Sequence, residues 1–405
     1  MGDVGQKMSG PEASLERPFI SEMALQGLVK KEQAMYRSKH PKSFDLFSKG
    51  SQQLSGVPMT WMRKWSGGFP LYLSEARGCK ITDVDGQKYT DFCLGDTGAM
   101  TGHSPDAVVK AVQQRLGVQG GVTTMMPTED AAAVSADLCR RFGSAFLWSF
   151  TLSATDANRA AIRIARYLTK RPKILVVSWC YHGSVDEAIA IRDPKSGKVT
   201  ARPGNVGPPV DLAQTTRVVE FNDLTAMELE LSHRDVAVVL LEPAMTNMSV
   251  ILPDTGYCAK VQEMARKYGS LMLWDETHTI SAGPGGCIQA WKLDPDIVVI
   301  GKSIGSGIAA GTFGLRSDIG TRLITASDVD LVDCGGVGGT LAGNALSLCA
   351  MRATLEHVLT DEAFARMLSL GRRFYEGCVN VIVKVWFVVL FFCRFVVFLL
   401  RVCFR

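Results

Sequence analysis

Residues 271–307 read LMLWDETHTISAGPGGCIQAWKLDPDIVVIGKSIGSG, and two short apolar runs within them decide the fold class. The runs 271–274 and 297–300 are each too short for a helix, and polar residues close them: Asp275 after the first, Gly301-Lys302 after the second. Short runs that are apolar on both faces suit strands buried in a parallel sheet. The pattern recurs outward, with strands predicted over 146–151, 173–178 and 237–241 and one more over 312–315. Between the first two, 155–168 reads as a helix with Ala157, Ala161, Ile164, Ala165 and Leu168 on one face. Arg159, Arg163 and Arg166 lie on the other face. A second helix covers 255–268 and stops at Gly269. Strands alternating with amphipathic helices predict an α/β fold, a mostly parallel sheet covered by helices. Ligands gather at the carboxyl ends of such strands, and Ser153, Glu242, Asp275 and Lys302 stand there.

A chain of 405 residues can bury a large core and suits two domains. The expected organisation is an N-terminal segment 1–50, partly disordered, and the N-terminal part of a small domain over 51–95. A large ligand-binding domain follows over 96–350, then the start of a C-terminal small domain over 351–380. The small domain is α+β and cut short at its C-terminus. Asp85-Gly86, between alternating apolar residues, predicts a hairpin. Ser104 is placed as the cap of a helix whose inner face carries Val108, Ala111 and Val112.

The net charge of +4 is spread without a basic block, which argues against a nucleic-acid groove. None of the 11 cysteines forms a C-x-x-C pair, so a zinc site is not expected. Cys93, Cys139 and Cys180 read as small buried hydrophobes. A reducing compartment and a cytoplasmic location follow as the simpler expectation. The segment 381–405, VIVKVWFVVLFFCRFVVFLLRVCFR, breaks with everything before it. Its longest uninterrupted apolar piece is too short to span a bilayer, and Arg394 sits near its centre. It reads as foreign to the evolved domain, as a reading-frame change or retained intron would make it. A tail anchor on a membrane is the alternative.

The pieces VDG, SATDANRAAIRIARYLTKR, CYHG, LLEPA, LMLWDETHT, DIVVIGKSIGSG and GTLAGN, in this order, resemble those of the fold-type I pyridoxal-phosphate enzymes. The likeness is to class III aminotransferases, in the glutamate-1-semialdehyde aminomutase-like branch, and covers roughly 56–377. It implies pyridoxal 5′-phosphate as cofactor. It also implies Lys302 as the Schiff-base lysine that shuttles the substrate proton, and Asp275 as the carboxylate that keeps the pyridine nitrogen protonated. Ser153, Ala154 and Thr155 are similar to the family's Ser-Gly-Thr phosphate cup at a helix start. Tyr181 corresponds to the aromatic that stacks on the ring, and Glu242 to a residue near the ring hydroxyl or a substrate-side arginine. Thr340 corresponds to a threonine that reaches the neighbouring subunit's phosphate, so the resemblance implies a homodimer with shared active sites.

Thr277 stands where the family has a small branched residue. His278 is less expected there, as a substrate contact or a polar loop residue, and His182 reads as a residue behind the site. Arg63 and Trp61, in VPMTWMRKW, lie where relatives bind substrate, and interface packing is the other reading. The resemblance implies transfer of an amine from a small-molecule donor to a carbonyl acceptor. A mutase, racemase or aldolase of the same fold is the alternative, and a truncated product with little activity is a further one.

Overall fold

The computed structural model describes residues 21–207, 210–328 and 335–384. The chain divides into two compact units, one of 21–76 with Lys80–Asp91 and the other of Arg77–Cys79 with the chain from Phe92 onward.

The first unit carries α1 (Glu22–Lys39), α2 (Pro41–Lys49) and a small sheet of β1 (Leu73–Arg77), β2 (Lys80–Asp83) and β3 (Lys88–Thr90), in that order. The Asp85-Gly86 hairpin forms as expected, with β2 and β3 antiparallel. Asp85 also holds the start of α2, accepting from the N–H groups of Lys42 (2.7 Å) and Ser43 (3.0 Å). A carboxylate there satisfies donors that the helix cannot pair internally. Helix α1, capped by Ser21, is longer than the few turns the polar composition suggests. Tyr36 on it donates to the Phe69 carbonyl at 3.1 Å.

The second unit runs α3 (Asp106–Gln114), α4 (Glu129–Phe142), β4 (Phe146–Thr151), α5 (Ala154–Thr169), β5 (Lys173–Val177), β6 (Ala190–Arg192), β7 (Val199–Ala201) and β8 (Thr216–Val219). It continues with α6 (Leu224–Ser232), β9 (Val236–Leu241), α7 (Tyr257–Tyr268), β10 (Leu271–Asp275), α8 (Gly286–Ala290), β11 (Ile297–Ile300) and β12 (Gly311–Arg316). It closes with α9 (Ser317–Ile324), α10 (Ala345–His357) and α11 (Asp361–Lys384). The seven-stranded sheet has the order β4-β12-β11-β10-β9-β5-β8. Strand β12 is antiparallel to both its neighbours, while β11, β10, β9, β5 and β8 pair in parallel.

Alternate residues of each central strand serve two cores, because successive strand side chains point to opposite faces. Leu175, Val239, Leu241, Met272, Trp274 and Val298 pack with Leu138 of α4, Val261 of α7 and Met351 of α10. Ile174, Val238, Leu240, Leu273 and Val299 pack with the Ala157, Ala161, Ile164 and Ala165 face of α5. Helix α3 begins one residue later than expected. Its cap is Pro105, because Ser104 takes a left-handed φ of +50°. Cys93 is exposed rather than buried, whereas Cys180 is buried. Among the described residues no helix is long and apolar enough to cross a membrane. The hydrophobic segment expected over 381–405 lies, beyond residue 384, outside the described residues.

Candidate active site

The sheet delivers its polar residues to one edge. Asp275 ends β10, Lys302 follows β11 by two residues, and Glu242 follows β9 directly. The turn after β5 carries Tyr181 and His182, and β4 leads through Ser153 into α5. These side chains line one cavity of about 410 Å³, together with Ala154, Thr155, Thr277 and His278.

Asp275 is 4% exposed, and three donors hold it. His182 Nδ1 and Asn158 Nδ2 each donate to its Oδ2 at 2.9 Å, and the Thr277 N–H donates to Oδ1 at 3.1 Å. Burial alone would raise its pKa, but His182, Thr277 and Asn158 outweigh it and keep the carboxyl below its ordinary value. Burial likewise opposes a charge on His182, yet Cys180 and Asp275 beside it hold the ring's pKa well above normal. Each of the two thus favours the charged form of the other, and Asn158 helps fix their geometry from α5.

Lys302 is half-buried, and burial lowers its pKa, against the pull of Asp96, Asp275 and Glu242. A depressed amine is the state that nucleophilic lysines require. Its Nζ lies 2.8 Å from His278 Nε2. Burial first, and the neighbouring Lys302 second, push His278 down to about 4. Lys302 takes a left-handed φ of +52°, an uncommon conformation for a residue with a side chain.

Helix α5 begins beneath the same cavity. Ser153 caps it, its Oγ accepting from the Asp156 N–H at 3.2 Å. Thr155 Oγ1 accepts from the Ser184 N–H at 3.2 Å. Two glycines let neighbouring backbone close on this turn. A Cβ on Gly183, at φ +84°, would lie 2.0 Å from Thr155 Oγ1, and one on Gly301 would lie 2.9 Å from the Ala154 nitrogen. The helix start is thus a small cup of N–H groups suited to an anion.

Glu242, 5% exposed, is pushed up to about 7 by burial and accepts from the Thr246 hydroxyl at 2.5 Å. Glu276 is fully buried. It accepts from Thr279 Oγ1 and from the N–H groups of Cys287 and Ile288, so it braces the loop after β10. Tyr181 is 42% exposed. Thr340 is exposed on the turn before α10. Trp61 and Arg63 lie on the first unit's short turn Thr60–Arg63, where Arg63 sits 5.9 Å from the Phe47 ring.

Sequence reasoning missed Asn158 and Thr97. Asn158 falls one residue from the apolar stripe of α5, and nothing in the spacing marks its reach to Asp275. Thr97, in the turn after Cys93, lies 3.2 Å from His278 Nδ1, a contact hidden by a sequence separation of 181.

A buried ionised carboxylate, a depressed amine, an anion cup and an exposed aromatic in one cavity fit pyridoxal 5′-phosphate. Asp275 could hold its ring nitrogen, Lys302 its carbonyl, and Ser153 to Thr155 its phosphate.

Comparison with known proteins agrees with this chemistry. The family described as Aminotransferase class-III matches residues 61–381. A glutamate-1-semialdehyde 2,1-aminomutase of Sorangium cellulosum is 33% identical over 346 residues, 83% of this chain and 76% of that protein. The crystal structure of a glutamate-1-semialdehyde aminomutase from Pseudomonas aeruginosa PAO1 superposes with a TM-score of 0.84 at 41% identity, covering 90% of this chain and 81% of that one. A variant of that enzyme, in complex with PMP, gives 0.83 at 40% over the same shares. An omega-transaminase from Sphaerobacter thermophilus gives 0.76 at 28%, covering 84% and 78%. The α/β fold-type I architecture expected from the sequence is the fold of these relatives.

Proposed function

This chain belongs to the class-III aminotransferase family, in its glutamate-1-semialdehyde aminomutase branch, and on that premise we propose that it moves an amine within one small amino-aldehyde substrate. Its cofactor is pyridoxal 5′-phosphate. Bound, that group takes up the electron pair left when a proton departs from the substrate carbon bearing nitrogen.

The chain's own residues do the rest. Lys302 holds the cofactor through its Nζ and, once freed, carries the substrate proton between carbons. Asp275, favoured in its ionised form by His182 and Asn158, would hold the ring nitrogen and keep it protonated. Ser153, Ala154 and Thr155 would hold its phosphate at the start of α5, Tyr181 would pack against the ring, and Glu242 would serve its hydroxyl. Thr340 serves the site of a second copy, which makes the working form a homodimer.

The observation that carries the reading is that Lys302, Asp275 and the α5 start line one cavity. Sequence reasoning alone puts transfer from an amino donor to a carbonyl acceptor first. The likeness to aminomutases, at higher identity than to the transaminase, favours rearrangement within one molecule. The full-length chain, supplied with cofactor and glutamate 1-semialdehyde and no carbonyl acceptor, should yield an isomer of unchanged mass. Turnover only on addition of a keto acid would establish transfer instead. Failure to gain a visible cofactor band would sink both readings.

A further inference from the structure

The contact between Lys302 Nζ and His278 Nε2, 2.8 Å long, has no part in the chemistry above. When Lys302 carries its proton it can only donate, and His278 Nε2 then accepts, with the ring proton on Nδ1. That Nδ1 lies 3.2 Å from Thr97 Oγ1, which completes a chain from Thr97 through the imidazole to the amine. Thr97 reaches the ring from a turn in which Leu94, Gly95, Asp96 and Thr97 all have φ between +50° and +69°. A β-branched residue rarely adopts that conformation, and such strain persists only where surrounding structure imposes it.

We propose that His278 is the positioning residue of Lys302: its uncharged ring accepts from Nζ, Thr97 fixes the ring's tautomer, and together they hold the amine aimed into the cavity. The proposal rests on Lys302 being the cofactor-bearing amine. Asp96, Asp275 and Glu242 act on Lys302, and Asp96, Asp275 and His182 on His278, through space. Asp96 and the two buried carboxylates favour the ammonium. His278 is the one of these groups that meets Nζ at hydrogen-bond distance among the described contacts, so it sets direction where the carboxylates set charge.

The test reads the reactivity of Lys302 with an amine-directed acylating reagent against pH, by peptide mass spectrometry, on the full chain before cofactor is added. The visible band on adding pyridoxal 5′-phosphate is recorded in parallel. A hydrogen bond to the charged form favours that form. His278→Met should therefore lower the reactivity midpoint by about one unit, a tenfold change in the protonation equilibrium. His278→Gln, which restores an acceptor, should recover most of the shift, and Thr97→Val should give a smaller shift in the same direction. Unchanged midpoints in all three variants, each still gaining the band, would overturn the positioning role and leave the cofactor reading standing. A wild-type chain that gains no band would overturn the cofactor reading, and this role with it. If His278→Met fails to fold, the Thr97→Val midpoint still decides the matter.

Discussion

The first unit and the second each bury an aspartate beside a histidine, and both carboxylates are 4% exposed. In the first unit, Asp83 spends its oxygens on its own hairpin. Oδ1 accepts from the N–H groups of Asp85 and Gln87, and Oδ2 accepts from the Tyr89 hydroxyl, with His40 Nε2 3.7 Å away. In the second unit, Asp275 is gripped by His182 at 2.9 Å yet still lines a cavity that also holds a depressed lysine. Burial and a histidine partner are thus common to structure and to chemistry. The distinguishing feature is that Asp275 is held from behind, by residues of two other segments, with a face left toward open space.

The comparison is broken most severely by removing the carboxylates. Asp275→Ala strands the charged His182 in the interior and should cost about 3–5 kcal/mol while abolishing the cofactor band; denaturant unfolding and absorbance read the two separately. Asp83→Ala frees two backbone donors and a phenol. It should cost about 2–3 kcal/mol and leave the band, per folded molecule, unchanged. An equal loss of band from Asp83→Ala would erase the distinction between the two sites.

The pH response sharpens the same contrast. Asp275 is held below its ordinary value, so its contribution is present above about pH 3.9 and is lost as pH falls through its folded value. His182 is held above its ordinary value, so its contribution is full below about pH 6.5 and is lost as pH rises through its folded value. The thermal midpoints of wild type and Asp275→Asn should therefore lie furthest apart between those limits and converge on either side. Asn158→Ala is the mildest change. It removes one hydrogen bond to Asp275 and should cost about 1 kcal/mol, with a small rise in the Asp275 titration visible in the acid limb of the unfolding profile.

The strand and helix pattern of the second unit was legible because its strands are apolar on both faces and end abruptly in charge. The termini of β4 and β11 fall where the pattern ends, and Asp275, Lys302 and Ser153 stand out by position alone. The ring of partners behind them was legible only in part. His182 was read as standing behind the site and does so, bonded to Asp275, whereas Asn158 sits on α5 beside alanines and Thr97 comes from a turn with no periodicity to read. Strand β8 was missed because Arg217 interrupts its apolar run, and that guanidinium is satisfied by Asp235 and Glu230, partners that only the folded chain supplies. Helix α1 lay within the segment expected to be partly disordered, because polar residues dominate it, although Leu25, Leu28, Val29 and Met35 recur at helical spacing and stay exposed.

Strand β12 is the one that runs against its neighbours, and it joins β4 to the rest of the sheet through pairings such as Gly311 with Thr151. The Thr312 hydroxyl bonds the Ser149 carbonyl 163 residues earlier in the chain. Strand β4, which leads into the anion cup, therefore has no seat in the sheet until β12 has emerged from the ribosome. Closing so long a loop is slow. Until then β4 has no strand partner, while α5 can already pack its alanine face on β5 and β9.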